Sequence, residues 1–436
     1  MRILRYLAAT LMLWAAVAMP ARAGGLIRDA DVEYALGQIA APVLRAAGLP
    51  SSVRVLVIED DALNAFVADT QHIFLNSGLI MKLGSAEALQ YVIAHEAAHI
   101  SNGHLARRAG NARAARTAAG LGFVLAAAAM ASGSPSVATG LAAGTQSAAL
   151  RQFLAHTRAE ESSADVSALR SLVRAGIDPK AALEVHDIFR GQEALSAGRQ
   201  DPYMRSHPLT RDRMRAAQGF VAGNSGQARK DTAATYWFHR AQGKLSAFLR
   251  APGWTLRRAN SSVTKDIALM REAVAYHRTS NLKKSLAAID SALALRPKDA
   301  LYVELKGQIL LESRQFGAAV QVYRQAAAMA PNEPLILGGL GRAQLAAGDP
   351  GAALKVLEQA RGRDFRDPRI LRDLAVAHAK TGDNGMASLV TAERYALLGR
   401  LSDAKLHATR AEGLLPRGSG PWRRAQDVLS ATKNLR

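Results

Sequence analysis

The string Tyr91-Val92-Ile93-Ala94-His95-Glu96-Ala97-Ala98-His99-Ile100 holds the chemistry of this chain. Two histidines four residues apart lie one turn apart on the same face of a helix, so both imidazoles can reach one metal ion. Glu96, beside the first of them, is placed to take a proton from a water that the ion activates. The apolar residues around them predict a buried helix, where little water competes with the ion. The 436-residue chain has no cysteine. Thiolate zinc sites, iron–sulfur clusters, disulfides and thiol nucleophiles are therefore excluded together. Any metal must be held by His, Asp and Glu, and there are 11 His to draw on.

A catalytic zinc ion needs a third protein ligand and one open position. The spacing His-Glu-x-x-His-x-x-Gly-x-x-His would require Gly at 102 and His at 105, where this chain has Asn102 and Leu105. The third ligand must come from elsewhere, and Glu160-Glu161-Ser162-Ser163-Ala164-Asp165 supplies it. Glu161 and Asp165 share a helix face. This predicts Glu161 as the ligand, with Asp165 reaching the outer N–H of a ligand imidazole. Glu160 is the rival ligand, off that face and less favoured. The expected cofactor is one zinc ion per chain.

These residues need a frame. Asp29 to Ala47 has apolar residues at helical spacing and ends at Gly48-Leu49-Pro50. Val53 to Ile58, Ala65 to Val67 and His72 to Leu75 read as strands, with a polar turn at Asp69-Thr70-Gln71. Ala109 to Ala149 is rich in Ala, Gly and Ser, and reads as small-residue helices, a flap over the site or a membrane-contacting segment. Gly223 to Asp231 is a Gly- and charge-rich boundary. Beyond it a 34-residue period emerges: Gly307, Gly341 and Ala375; Ala292, Ala326 and Ala360; Pro297 and Pro331. Small residues where paired helices touch and Pro at repeat ends are the tetratricopeptide signature. Three or four repeats are expected within about 273–415, with 418–436 as a capping helix. The fold class is thus α+β and mostly helical: a catalytic domain with a small β-sheet (24–222), a linker and bridging helix (223–263), and an all-α tetratricopeptide solenoid (264–436).

At the N-terminus, Arg2 and Arg5 precede an apolar stretch from Leu7 to Met19, then Ala21-Arg22-Ala23. That pattern predicts a cleaved export signal over 1–23, and periplasmic residence. The formal charge is +20. Residues 24–227 hold 19 Lys and Arg against 18 Asp and Glu, whereas 228–436 hold 34 against 18. The basic excess belongs to the repeat half and suits an anionic partner, either an acidic protein surface or peripheral contact with anionic lipid. No nucleic-acid module is present, so nucleic acid is not an expected partner.

Several strings together resemble the BepA-like group of exported zinc metallopeptidases, gluzincins related to HtpX and the CAAX prenyl proteases, which carry a C-terminal tetratricopeptide array. They are Leu63-Asn64-Ala65-Phe66-Val67-Ala68, Ile73-Phe74-Leu75-Asn76-Ser77-Gly78-Leu79, Ala94 to Ile100, Gly103-His104-Leu105, Glu161-x-x-x-Asp165 and Ser206-His207-Pro208-Leu209. The resemblance implies zinc held by His95, His99 and Glu161, with Glu96 as general base. It also implies that His207 caps the open position of the zinc and holds the enzyme inactive. By chemistry alone, His207 could instead stabilise the oxyanion of the intermediate. Arg213 follows at the family's spacing and is expected to pair with a carboxylate. Ser163 departs from the acidic residue that relatives often have there, and His104 is read as structural. The other histidines are read as surface or packed residues. Extended substrate is expected along an edge strand over Asn64 to Asn76, with Asn64, Phe66, Phe74 and Asn76 as binding residues. The implied role is quality control of outer-membrane proteins. Unfolded or stalled outer-membrane proteins would be the substrates, and the basic repeats would engage the assembly machinery. A non-proteolytic chaperone or adaptor is the alternative.

Overall fold

Asp29 starts the first helix by accepting from the backbone N–H groups of Asp31 and Val32, at 3.0 and 2.9 Å. Two of the four N–H groups that a helix start leaves unpaired are thereby satisfied. The structure, a computed structural model, describes residues 25–106, 158–192, 195, 199–224 and 231–432. The expected signal over 1–23 and the Ala/Gly/Ser-rich stretch 109–149 lie outside the described residues.

The N-terminal half opens with β1 (Leu26–Ile27), α1 (Ala30–Ala46), β2 (Arg54–Ile58), β3 (Ala65–Val67) and β4 (His72–Asn76). The short β1 is an addition to the strands expected from sequence. Sheet order is β1-β2-β4-β3, with β2 and β4 parallel and the outer pairings antiparallel. One face of the sheet buries Val55, Val57, Ala65, Val67, Ile73 and Leu75 against α1 and the helix that bears the histidines. The chain leaves β4 directly into α2 (Ser77–Lys82). Only glycine fits at 78, where a Cβ would stand 2.1 Å from the Asp61 carbonyl oxygen.

The central helix, α3 (Ala86–Ser101), is capped by Ser85, whose hydroxyl accepts from Ala88 N–H and donates to Glu184. Its residues from Leu89 to His99 are all buried, as the apolar string predicts. It ends at Asn102, and Gly103 turns the chain with φ +70°. Then come α4 (Arg158–Arg174), α5 (Ala181–Phe189), α6 (Pro202–Ser206) and α7 (Arg211–Gly223). The linking helices are α8 (Thr232–Leu249) and α9 (Pro252–Ala259).

The repeats are antiparallel helix pairs: α10 (Lys265–Arg278) with α11 (Leu282–Leu295), α12 (Ala300–Glu312) with α13 (Phe316–Met329), α14 (Pro334–Ala346) with α15 (Pro350–Arg363), and α16 (Pro368–Lys380) with α17 (Asn384–Leu397). α18 (Leu401–Leu414) follows within the expected repeat span, and α19 (Gly420–Thr432) packs on it in the stretch expected to cap the array. The 34-residue positions explain themselves: Ala292, Ala326 and Ala360 are fully buried, and a Cβ on Gly341 would stand 2.4 Å from Leu357.

Two buried ion clusters join the halves. Arg240 and Lys244 of α8 meet Asp31 and Asp29 at 2.7 and 2.9 Å, and Arg240 also pairs with Asp299. Arg28 and Arg54 meet Asp364 at 2.7 and 2.8 Å.

Candidate metal centre

α3 and α4 lie against each other and present their polar residues inward. His95 and His99, both fully buried, bring their Nε2 atoms to 3.2 Å. Glu161 on α4 places Oε2 3.4 Å from His95 Nε2 and Oε1 3.6 Å from His99 Nε2. A tetrahedral zinc with bonds of about 2.0–2.1 Å spaces its donors about 3.3–3.4 Å apart, so these three fit the edges of such a site. His207 joins them, with the four ligand atoms all within 4.8 Å of one another. Glu160 does not join this cluster.

The ligand atoms face one another where an ion would need them. His95 Nδ1 lies 3.0 Å from Asp165 Oδ1. A carboxylate only accepts, so a His95 proton sits on Nδ1, which leaves the inward-facing Nε2 as the atom a metal would take. Glu96 strengthens the fit. It is fully buried and neither of its oxygens accepts a hydrogen bond among the described residues. A buried carboxylate in that state is costly unless a cation compensates it.

Asp165 is held in turn. Arg213 donates to it from Nε and Nη2 at 2.7 and 2.8 Å, and the Tyr91 hydroxyl donates at 3.1 Å. Arg213 Nη1 also donates to the Pro208 carbonyl at 2.7 Å and lies 3.1 Å from Glu161 Oε2. One guanidinium thus ties the candidate ligand, the carboxylate behind His95 and the loop that carries His207. Thr210 caps α7 by accepting from Arg213 N–H, which sets the start of the helix that delivers it.

Charges follow from these contacts. Burial opposes ionisation of Asp165, but Arg213 and His95 outweigh it and hold the carboxyl well below the usual range. Burial likewise opposes Glu161, and His207 and His95 override it. For His95, burial disfavours the charged ring, yet Asp165 and Glu161 carry its pKa up to about 10. Glu96 goes the other way, pushed up by burial against the pull of His207 and His95.

His207 Nδ1 lies 3.1 and 3.2 Å from the two Glu161 oxygens, and its Nε2 lies 3.5 Å from Glu96 Oε1. Its ring is packed on Tyr203. The Tyr203 N–H donates to the Leu63 carbonyl at 3.2 Å, which anchors α6 to the approach of β3.

The expected binding residues part company. β3 is the edge strand, whereas Phe74 and Asn76 lie on β4, which is hydrogen-bonded on both sides. Only the Asn64–Val67 part of that stretch lies on a strand with no second β-partner among the described residues, and Ala65 and Val67 are themselves buried. Asn64 accepts from Asn76 N–H, so the alternation of an antiparallel ladder turns the backbone groups of Ala65 and Val67 outward. Phe66 stacks on Phe74 with centroids 5.2 Å apart, and Asn76 is buried and donates to the Ala62 carbonyl.

Sequence reasoning missed Tyr91, His186 and Tyr203. Tyr91 is four residues before His95 on the same face, a signal that was present. His186 Nε2 lies 3.0 Å from the Tyr91 hydroxyl, and burial lowers its pKa to about 4, so it is a neutral donor. His104 and Ser163 contact one another beside His99 at 3.1 Å, a role for Ser163 that its departure from the acidic pattern concealed.

With that geometry in place, comparison defines the class. Residues 29–221 match the family model for Peptidase family M48, and residues 256–334 and 310–375 match tetratricopeptide repeat models. The chain thus joins an M48 metallopeptidase domain to a tetratricopeptide array. Among named relatives, it is 28% identical over 158 residues to the putative beta-barrel assembly-enhancing protease of Vibrio cholerae, covering 36% of this chain and 32% of that one. It is 28% identical over 179 residues to the beta-barrel assembly-enhancing protease of Escherichia coli, covering 40% and 36%. The aligned part spans about a third of the length of these relatives. Among solved structures, MamA from Desulfovibrio magneticus aligns with a TM-score of 0.33 at 18% identity, over 38% of this chain and 95% of that one. A thermophilic tetratricopeptide protein from Thermus thermophilus aligns with a TM-score of 0.27 at 18% identity, over 38% and 99%. No helix among the described residues is long and apolar enough to cross a membrane.

Proposed function

We propose that the chain is a zinc-dependent endopeptidase of the periplasm, acting in outer-membrane protein assembly and quality control. The observation that carries this is the donor set: the His95, His99 and Glu161 ligand atoms spaced 3.2–3.6 Å apart, beside a buried Glu96. Zinc bound there would polarise a peptide carbonyl and make a water nucleophilic near neutral pH. Glu96 takes the proton from the attacking water and returns it to the leaving amine, a task helped by a pKa that burial raises. Asp165 fixes the His95 tautomer, and Arg213 keeps Asp165 and Glu161 ionised. Substrate adds as a strand along β3, held by the outward backbone groups of Ala65 and Val67.

His207 stands within the same donor set, its Nδ1 3.1 Å from Glu161 Oε1 and its Nε2 3.5 Å from Glu96 Oε1. This supports a resting state in which it is a fourth donor and must move before substrate engages. The relatives, beta-barrel assembly-enhancing proteases by name, support the assembly role, and the Ala21-Arg22-Ala23 pattern supports export. The basic repeat half would recruit an acidic assembly component, with unfolded or stalled outer-membrane proteins as substrates.

One experiment tests the centre: zinc content and casein cleavage of the mature protein, compared with Glu96→Gln and His207→Ala. Glu96→Gln is expected to keep its zinc and lose about 10²–10⁴-fold in rate, the usual worth of a general base. His207→Ala is expected to cleave faster than wild type. Undiminished cleavage by Glu96→Gln refutes Glu96 as base, and no cleavage by any form favours the adaptor reading.

A further inference from the structure

On the side of the centre away from Asp165, a second set of groups leads to His99. Past the Gly103 turn, His104 folds back and is 1% exposed, with its Nδ1 2.9 Å from His99 Nδ1. Its Nε2 lies 3.1 Å from Ser163 Oγ on α4. Asn102 holds this turn against α4 by donating to Ser167 Oγ at 3.1 Å.

The proton positions follow from the far end. Ser163 donates its hydroxyl proton to the Glu160 carbonyl at 2.9 Å, and a carbonyl can only accept. The hydroxyl therefore meets His104 with a lone pair, so His104 is protonated on Nε2 and offers a lone pair at Nδ1. His99 then carries its proton on Nδ1 and directs the Nε2 lone pair at His95 and Glu161. In the reverse arrangement Ser163 donates to His104, and the sequence ends with a proton on His99 Nε2, where it would block any cation.

We propose that His104 and Ser163 are positioning residues that set the tautomer of His99, as Asp165 does for His95. The inference rests on the zinc reading above. It also makes the two imidazoles unequal: a carboxylate polarises His95, whereas a neutral imidazole and hydroxyl support His99. A carboxylate at 163 should therefore strengthen the His99 side.

The test is the zinc dissociation constant, measured by competition with a chromophoric chelator, alongside thermal unfolding of the metal-free proteins. His104→Phe, which fills the space without an acceptor, should weaken zinc binding by about 10–100-fold, the usual effect of losing such a partner. His104→Gln, whose amide oxygen accepts, should recover most of that loss. Ser163→Ala should bind more weakly than wild type and Ser163→Asp more tightly. In zinc-loaded wild type, ¹⁵N shifts should show His99 protonated on Nδ1 and His104 on Nε2. Equal zinc affinity in wild type, His104→Phe and Ser163→Asp overturns the proposal, as does a His104 protonated on Nδ1. His95→Ala separates the two readings. If it binds zinc as wild type does, the metal centre itself is wrong; if it alone loses zinc, only the positioning role of His104 fails.

Discussion

Replacing Arg213 with Met tests whether the site stands on a compensated buried charge. Arg213 is 6% exposed and Asp165 5%, and their two-point contact has donor distances of 2.7 and 2.8 Å. A surface pair would be worth about 0–1 kcal/mol. Removing one partner of a buried pair costs about 3–5 kcal/mol, and here Asp165 would lose its strongest partner and keep only His95 and the Tyr91 hydroxyl. For a domain of this size that is a fall of roughly 10 °C in melting temperature. The assay is calorimetric unfolding of chelator-treated protein, so that metal binding adds nothing to either state.

The pH dependence gives a second handle. The folded pKa of Asp165 is depressed, so its stabilising contribution is full above its unfolded value of about 3.9 and fades as the pH falls further. The gap between wild type and Arg213→Met should accordingly be widest near neutrality and close in acid. Adding Asp165→Asn to Arg213→Met should restore stability, with a coupling energy of about 2–3 kcal/mol. A loss below about 1 kcal/mol for Arg213→Met, or strictly additive effects in the double variant, would refute the reasoning, since either means that water already compensates the pair.

Other perturbations have equally definite signs. Burial pushes Glu304 up to about 7 against the pull of Lys244, so its contribution to stability is full below its unfolded pKa and is lost as the pH rises through 7. Glu304→Gln should therefore gain on wild type by on the order of 2 kcal/mol at pH 8 and by little at pH 4, measured by urea unfolding at both values. Gly341→Val should melt lower by the cost of overpacking, about 1–3 kcal/mol, because the Leu357 side chain 2.4 Å from its Cβ is fully buried. Gly317→Ala, at an exposed helical position with open space around it, should instead gain about 0.5–1 kcal/mol. Val67→Pro removes an outward N–H from the edge strand, so KM for an unfolded substrate should rise while zinc content stays unchanged; an unaltered KM would remove β3 from the substrate path.

How much of this was legible depends on how far apart the cooperating residues lie. His95, Glu96 and His99 fall within one turn and a half of helix, so spacing alone puts them on one face. The same local rule places Glu161 with Asp165 and leaves Glu160 aside. Tyr91 obeyed it too, but an aromatic in an apolar run looks like core, and its hydroxyl has meaning only once Asp165 stands opposite. His104 was beyond reach because it follows a helix end: the φ of +70° at Gly103, not the helical period, returns it to His99. Phe74 and Asn76 were misjudged because strand order was unknown, and alternation in sequence does not tell an edge strand from one paired on both sides.

The same limit explains why the join between the halves was invisible. Arg28, Asp29, Asp31 and Glu33 look like the solvated start of an amphipathic helix. In the fold they are drawn two ways: Arg28 and Glu33 to Arg54 and Asp364, and Asp29 and Asp31 to Arg240 and Lys244. Arg28 and Asp364 are 336 residues apart in sequence. A run of charged residues carries no mark of whether water or a second domain will compensate it. Here the repeat array supplies part of that compensation, so the start of α1, against which the histidine helix packs, is held by residues of the repeat half. A partner that pulled on the array near Asp364 would act first on Arg28 and Arg54, and through Arg54 on β2, the strand beside β4 and one removed from β3.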